Sequence, residues 1–163
     1  MRVPQIIQQK IFDLPALQHQ LRRWRLLSKS IAFTNGCFDI LHEGHIASLS
    51  DAAREADILI VGVNSDDSTC RLKGPQRPIN PQQARATVLA ALLMVDAVVI
   101  FNEDTPLELI KIVQPDVLVK GGDYTLDQIV GAKEVMAAGG RVVINPIVPG
   151  FSTTGLIEKI TKL

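Results

Sequence analysis

From residue 31 onward, short apolar runs alternate with longer stretches in which apolar residues recur at helical spacing. The apolar runs are Ile31–Phe33, Ile58–Val63, Ala97–Phe101, Val117–Val119 and Val142–Ile144. Runs without polar alternation predict strands covered on both faces, the environment of a parallel sheet between two helical layers. The helical stretches between them are His45–Ala56, Gln82–Met94, Pro106–Val113 and Leu126–Ala138, and Thr153–Ile160 closes the chain. Punctuation agrees with this alternation. Asn80-Pro81 with Gln83, and Thr105-Pro106 with Glu108, each read as a cap, a first-turn proline and a capping-box partner. Gly139-Gly140 ends one helix and Pro115 stops another. The expected fold class is α/β, a doubly wound five-stranded parallel sheet of Rossmann-like type. It spans 31–163 and follows an N-terminal helical extension over 1–30.

Composition fits this picture. A chain of 163 residues, 47% hydrophobic and 21% charged, suits one globular domain rather than a disordered segment. The longest apolar run, Val88–Val95, holds eight residues, against the roughly 20 that a membrane span needs. Neither an export signal nor a disulfide framework is evident: Cys37 and Cys70 have no metal-ligand spacing. A reduced, cytoplasmic setting away from membranes is the expectation.

The net charge of zero conceals a split, with a balance of +5 over residues 1–30 and −5 over the remainder. A basic arm can serve nucleic acid. Here, however, Leu21, Trp24 and Leu27 recur among the arginines at helical spacing, the pattern of an amphipathic helix docked on a domain or across a homodimer. With 4% aromatic residues there is no stacking platform for single strands, and no nucleic-acid partner is expected.

In a doubly wound sheet, ligands bind beyond the carboxyl ends of the strands. The first such loop reads Thr34-Asn35-Gly36-Cys37-Phe38-Asp39-Ile40-Leu41-His42-Glu43-Gly44-His45. Asn35-Gly36 permits a sharp turn, and His42 and His45 share one helical face. Gly44 between them leaves room for close approach of an anion. This is the pattern of a phosphate site, of two surface histidines, or of half a metal site. The only other histidine is His19, in the basic segment, so no metal site is expected. Ser152, Thr153 and Thr154 open the last helix without an acidic residue in its first turn, leaving hydroxyls and N–H groups for a phosphate. Arg71, Lys73 and Arg77 follow the second strand, where they could close over a polyphosphate. Lys120-Gly121-Gly122-Asp123-Tyr124 follows the fourth, a glycine turn with a carboxylate suited to ribose hydroxyls or simply a turn.

Together these segments resemble the nucleotidyltransferases that pair an HxGH signature with a C-terminal Ser-Thr-Thr segment, and most closely the adenylyltransferase half of the bifunctional ADP-heptose synthases. The resemblance rests on Asn35–His45, Val63–Asp66, Lys73-Gly74 with Arg77-Pro78, Val119–Tyr124 and Ser152–Thr154. It implies transfer of AMP from ATP to D-glycero-β-D-manno-heptose 1-phosphate, releasing pyrophosphate, on a route to lipopolysaccharide core. By the same resemblance, the backbone of Thr34, Asn35, Gly36, Cys37 and Phe38, with Gly44, His42 and His45, would hold the ATP phosphates. Lys73 would neutralise charge at transfer, and Ser152, Thr153 and Thr154 would bind the leaving pyrophosphate. Gly122 and Asp123 would lie near ribose and base. Arg77 and Arg85 would bind the sugar phosphate or order the loop, and Asp39 would brace the loop. Mg²⁺ would arrive with ATP, and a homodimer is expected. The alternatives are a cytidylyltransferase for a small polyol or alcohol phosphate, and a non-enzymatic nucleotide- or nucleic-acid-binding module.

Overall fold

The computed structural model describes residues 4–122, 124–146, 150 and 153–162. In chain order the elements are α1 (Ile6–Gln9), β1 (Ile11–Phe12), α2 (Leu14–Leu26), β2 (Ile31–Gly36), α3 (Glu43–Ala53), β3 (Ile58–Asn64), α4 (Asp66–Lys73) and α5 (Gln82–Ala90). There follow β4 (Ala97–Phe101), α6 (Leu107–Val113), β5 (Val117–Gly121), a 3₁₀ turn (Leu126–Gln128), α7 (Ala132–Ala137), β6 (Arg141–Asn145) and α8 (Thr153–Ile160).

All five expected strands form, and they pair in parallel in the order β4-β3-β2-β5-β6. A sixth is added: β1 runs parallel to β4 at the sheet edge, with Ile11 opposite Val98. Two apolar residues are too short a run to announce a strand. They pair because β4 offers an open ladder, which they cover.

The side-chain period of two divides the core between the sheet faces. Phe33, Ile60 and Leu118 pack with Leu17 and Leu21 of α2, Leu109 and Ile110 of α6 and Val135 of α7. On the opposite face, Ala32, Leu59, Val61 and Val119 pack with Leu49 of α3 and Leu89 of α5. Each fully buried Leu, Ile or Phe contributes about 1.5–3 kcal/mol. Gly62 is a packing requirement, since a Cβ there would lie 2.9 Å from the Phe33 ring and 3.3 Å from Leu109.

The basic N-terminal segment docks on this body. Leu17 and Leu21 are buried and Trp24 packs beside them, with its ring edge-on to Phe12. Leu27 departs from the expected stripe and is 70% exposed. The helix ends at Leu26, so the helical period no longer governs where Leu27 points. Several of the segment's cations are tied to the domain. Lys10 donates to the Val95 carbonyl at 2.7 Å, Arg25 to the carbonyls of Val113 and Gln114, and Lys29 pairs with Asp57. No helix among the described residues is long and apolar enough to cross a membrane.

Three local expectations are corrected. Asn80 and Thr105 are not side-chain caps, because α5 and α6 begin after Pro81 and Pro106 with no capping hydrogen bond. Asn80 instead donates its amide to the Asp39 carbonyl. The stretch expected as one helix over Leu126–Ala138 breaks at Gly131, whose φ of +85° is left-handed. The loop holding Arg71 and Lys73 begins as helix α4, capped by Ser65, whose hydroxyl accepts from the Ser68 N–H.

Candidate active site

The chain leaves β2 for β3 on one side, and later places β5 on the other side of β2. That reversal is the topological switch point of a doubly wound sheet. A cleft lies there, beyond the ends of β2 and β5. Its inner chamber of about 260 Å³ is lined by Thr34–Phe38, His42, Gly44, His45, Ser48 and Lys120–Gly122, among others. It joins a wider chamber of about 770 Å³ lined in addition by Lys73, Arg77, Thr153 and Thr154.

Asn35-Gly36, expected to turn, closes β2 instead, paired with Gly62 and Val63, and the sharp backbone geometry of the inner wall falls two residues later. Phe38 holds a φ of +48°, strained for a bulky side chain. Its ring lies within 3.1 Å of where a Gly36 Cβ would stand, and edge-on to His45 with ring centres 5.4 Å apart. His42 immediately precedes α3 in extended conformation, and its carbonyl accepts the His45 N–H at 2.9 Å. The two imidazoles stack, 3.9 Å between centres. Burial lowers the pKa of His42 below the ordinary histidine range. At His45 burial, reinforced by His42, lowers it to about 4. Both rings are therefore neutral at pH 7, each with one N–H to donate and one nitrogen to accept. The His45 Nδ1 is buried without a hydrogen-bond partner among the described residues.

Asp39, 3% exposed, braces the rim rather than facing the cleft with a free charge. Its carboxylate accepts from the N–H groups of Ile79 and Asn80 and pairs with Arg77 at 2.5 Å. Burial raises its pKa, but the Asn80 and Ile79 N–H groups and Arg77 outweigh it and hold the carboxyl below its usual range. Arg77 reaches the wider chamber already bound to Asp39. Arg85 does not line the cleft, and its expected substrate contact gives way to loop ordering. The guanidinium is fully buried and donates to the carbonyls of Asn80 and Cys37 and to Asp66 at 2.8 Å. Arg71 is likewise engaged, by Asp104 at 2.6 Å.

Thus Thr34, Asn35, Gly36, Cys37, Phe38, His42, Gly44, His45, Lys73, Arg77, Gly122, Thr153 and Thr154 are brought together on one cleft. Asp123 and Ser152 lie outside the described residues. Lys120 and Tyr124, given no role above, line both chambers. The signal for Lys120 was present, since it stands at the carboxyl end of the strand next to the switch point. Among the described residues no group of three His, Cys, Asp or Glu side chains is placed to hold a metal ion.

Comparison with known proteins agrees with this geometry. The family described as Cytidylyltransferase-like matches residues 33–159. The bifunctional protein HldE of Hyphomonas neptunium is 56% identical over 149 residues, covering 91% of this chain and 31% of that protein. HldE of Caulobacter vibrioides is 52% identical over 153 residues, covering 94% and 32%. The chain therefore spans about a third of the length of the curated relatives it matches. Among solved structures, the lipopolysaccharide core biosynthesis protein of Thermoplasma volcanium is 28% identical with a TM-score of 0.59, over 74% of this chain and 97% of that one. Pantothenate synthetase of Thermus thermophilus, at 17% identity and a TM-score of 0.65 over 94% and 70%, shares the fold alone. On the extent of the family match and the cleft at the switch point, this chain belongs to the cytidylyltransferase-like family and has its Rossmann-type nucleotidyltransferase fold.

Proposed function

We propose that this chain transfers AMP from ATP to D-glycero-β-D-manno-heptose 1-phosphate, forming ADP-heptose and pyrophosphate. The carrying observation is the stacked neutral pair His42 and His45, set beside the end of β2 at Asn35-Gly36 in the same cleft as two lysines. The identity to HldE proteins over nearly the whole chain supports the heptose as acceptor.

The acceptor's phosphate is anionic at neutral pH, so its oxygen attacks without a general base. That oxygen bonds to the α-phosphorus while the bond to the β-phosphate oxygen breaks, its electron pair leaving with pyrophosphate. The protein's work is alignment and charge stabilisation. In this reading the N–H groups of Thr34–Phe38 and the two imidazoles hold the triphosphate. Thr153 and Thr154, at the start of α8, receive the departing pyrophosphate. Lys73 at the end of α4 reaches over it. Mg²⁺ would arrive with ATP and supply charge neutralisation at its phosphates, since among the described residues the carboxylates lining the wider chamber, Asp39 and Asp104, are engaged by arginines. A homodimer is part of the same proposal, and light scattering at micromolar concentration tests it.

Pyrophosphate release measured with ATP or CTP against a panel of sugar 1-phosphates and polyol phosphates tests the reading. Turnover with ATP and the heptose phosphate is expected. Preference for CTP and a polyol phosphate would replace it with cytidylyl transfer.

A further inference from the structure

Lys120, next to last in β5, stands where the two chambers meet and lines both. Its Nζ lies 3.4 Å from Asn35 Oδ1 and 5.8 Å from the centre of the Tyr124 ring. Neither neighbour carries a formal charge. Among the described residues, the carboxylates lining the wider chamber are taken, Asp39 by Arg77 and Asp104 by Arg71. Among the described residues Lys120 has no salt-bridge partner, and with Lys73 it is one of two cleft lysines in that condition. Burial lowers its pKa, an effect partly offset by Cys37 and reinforced by the charge of Lys73. A half-buried ammonium without a counter-charge is held at a cost that a bound anion removes.

The surrounding turn keeps this group in place. Gly122 has a φ of +132°, and a Cβ there would stand 2.7 Å from the Tyr124 ring, so only glycine lets that ring lie against the turn. The Gly122 N–H donates to the Asn145 carbonyl at 3.1 Å, fixing the turn to the end of β6.

The proposed reaction must bring two anions together: the α-phosphoryl group and the phosphate of the acceptor. The triphosphate has its own donors in Thr34–Phe38, the histidines and the start of α8. The second anion has to meet it at the junction of the chambers. We propose that Lys120 binds the acceptor's phosphate and offsets its repulsion with the α-phosphoryl group as the new bond forms. The ammonium keeps its protons throughout, and the step is otherwise the transfer described above. The assignment rests on that reading.

The test compares Lys120→Met and Lys120→Arg with wild type, each checked for folding by circular dichroism. Lys120→Met should lower kcat/KM for the sugar 1-phosphate by about 10²-fold, while the Kd for ATP by calorimetry changes less than about two-fold. Lys120→Arg should recover part of the loss. An equal weakening of ATP would place Lys120 on the nucleotide instead, and unchanged kinetics would remove it from the site. A second arm needs no acceptor sugar: ¹³C-methylated lysine NMR, with the Lys120 signal identified by its absence in Lys120→Met. Titration with inorganic phosphate should move that signal more than those of surface lysines. If the wild type transferred nothing to any sugar phosphate, the functional reading would fail and this arm would still decide the anion site. A signal that does not respond to phosphate overturns the inference.

Discussion

His42 and His45 hold their imidazoles 3.9 Å apart with planes only 24° from parallel. Two imidazolium rings at that separation would repel, and the low pKa of His45, about 4, follows from burial and from this neighbour. An unfolded histidine titrates near 6.5. Between these values the unfolded chain binds more protons than the folded one, so stability rises with pH through that window. We expect the wild-type Tm to fall more steeply than that of His45→Gln as pH is lowered from about 6.5 toward 4. Parallel curves from thermal melts across that range would show that His45 is not held neutral.

The Asp39 carboxylate gives the same direction of pH dependence, but by stabilising its charged form. Its folded pKa lies below the unfolded value of 3.8, so its contribution is present above that value and is lost as pH falls through the folded one. Asp39→Asn keeps a similar shape and removes the charge that Arg77 and two N–H groups share. Urea denaturation at pH 7 should show a loss of about 1–3 kcal/mol, shrinking in acid. An equal loss at pH 3 and pH 7 would assign the effect to packing.

Arg85 ties three segments together: the Cys37 turn after β2, the Asn80 bend before α5, and Asp66 at the start of α4. Replacing it with methionine leaves two carbonyls and a carboxylate without their donor. The expected loss is about 3 kcal/mol by urea denaturation, since it removes a buried charged partner. A direct substrate contact would instead leave stability nearly unchanged and raise KM for the acceptor.

The fold was largely legible because buried parallel strands write themselves as unbroken apolar runs, and all five became strands. The loop from Thr34 to His45 was legible for a related reason, as the residue types an anion needs fall in one short segment beyond a strand. What escaped depends on distant pairing. Ile11 and Phe12 form a strand only because β4 has an open edge. The sequence leaves Arg77 and Arg85 open between a sugar-phosphate contact and loop ordering, and only the fold brings Asp39, Asp66 and the carbonyl of Cys37 against them. Lys120 was in view within its glycine-rich segment, but its position between the two chambers depends on β5 lying next to β2.

The hydroxyls at the start of α8 separate structure from catalysis. Thr153 and Thr154 face the wider chamber, and Thr153 Oγ1 also donates to the Ile40 carbonyl at 3.4 Å. As ordinary caps, their joint replacement by alanine would cost about 0.5–2 kcal/mol and leave kinetics intact. As pyrophosphate ligands, they strengthen as charge gathers on the leaving group, so the double variant should lose kcat beyond any change in Tm. Steady-state rates and melting curves on one protein distinguish the two.

The account stands or falls on the phosphate role of the histidine pair. The most direct measurement is the single-turnover rate of ADP-sugar formation from ATP and the heptose 1-phosphate, in wild type, His42→Ala and His45→Ala. Circular dichroism establishes that each variant is folded. Loss of one preorganised contact to the reacting phosphates should slow each variant by about 10²-fold or more. Folded variants that turn over at near-native rates would contradict the assignment of this cleft as the site of adenylyl transfer.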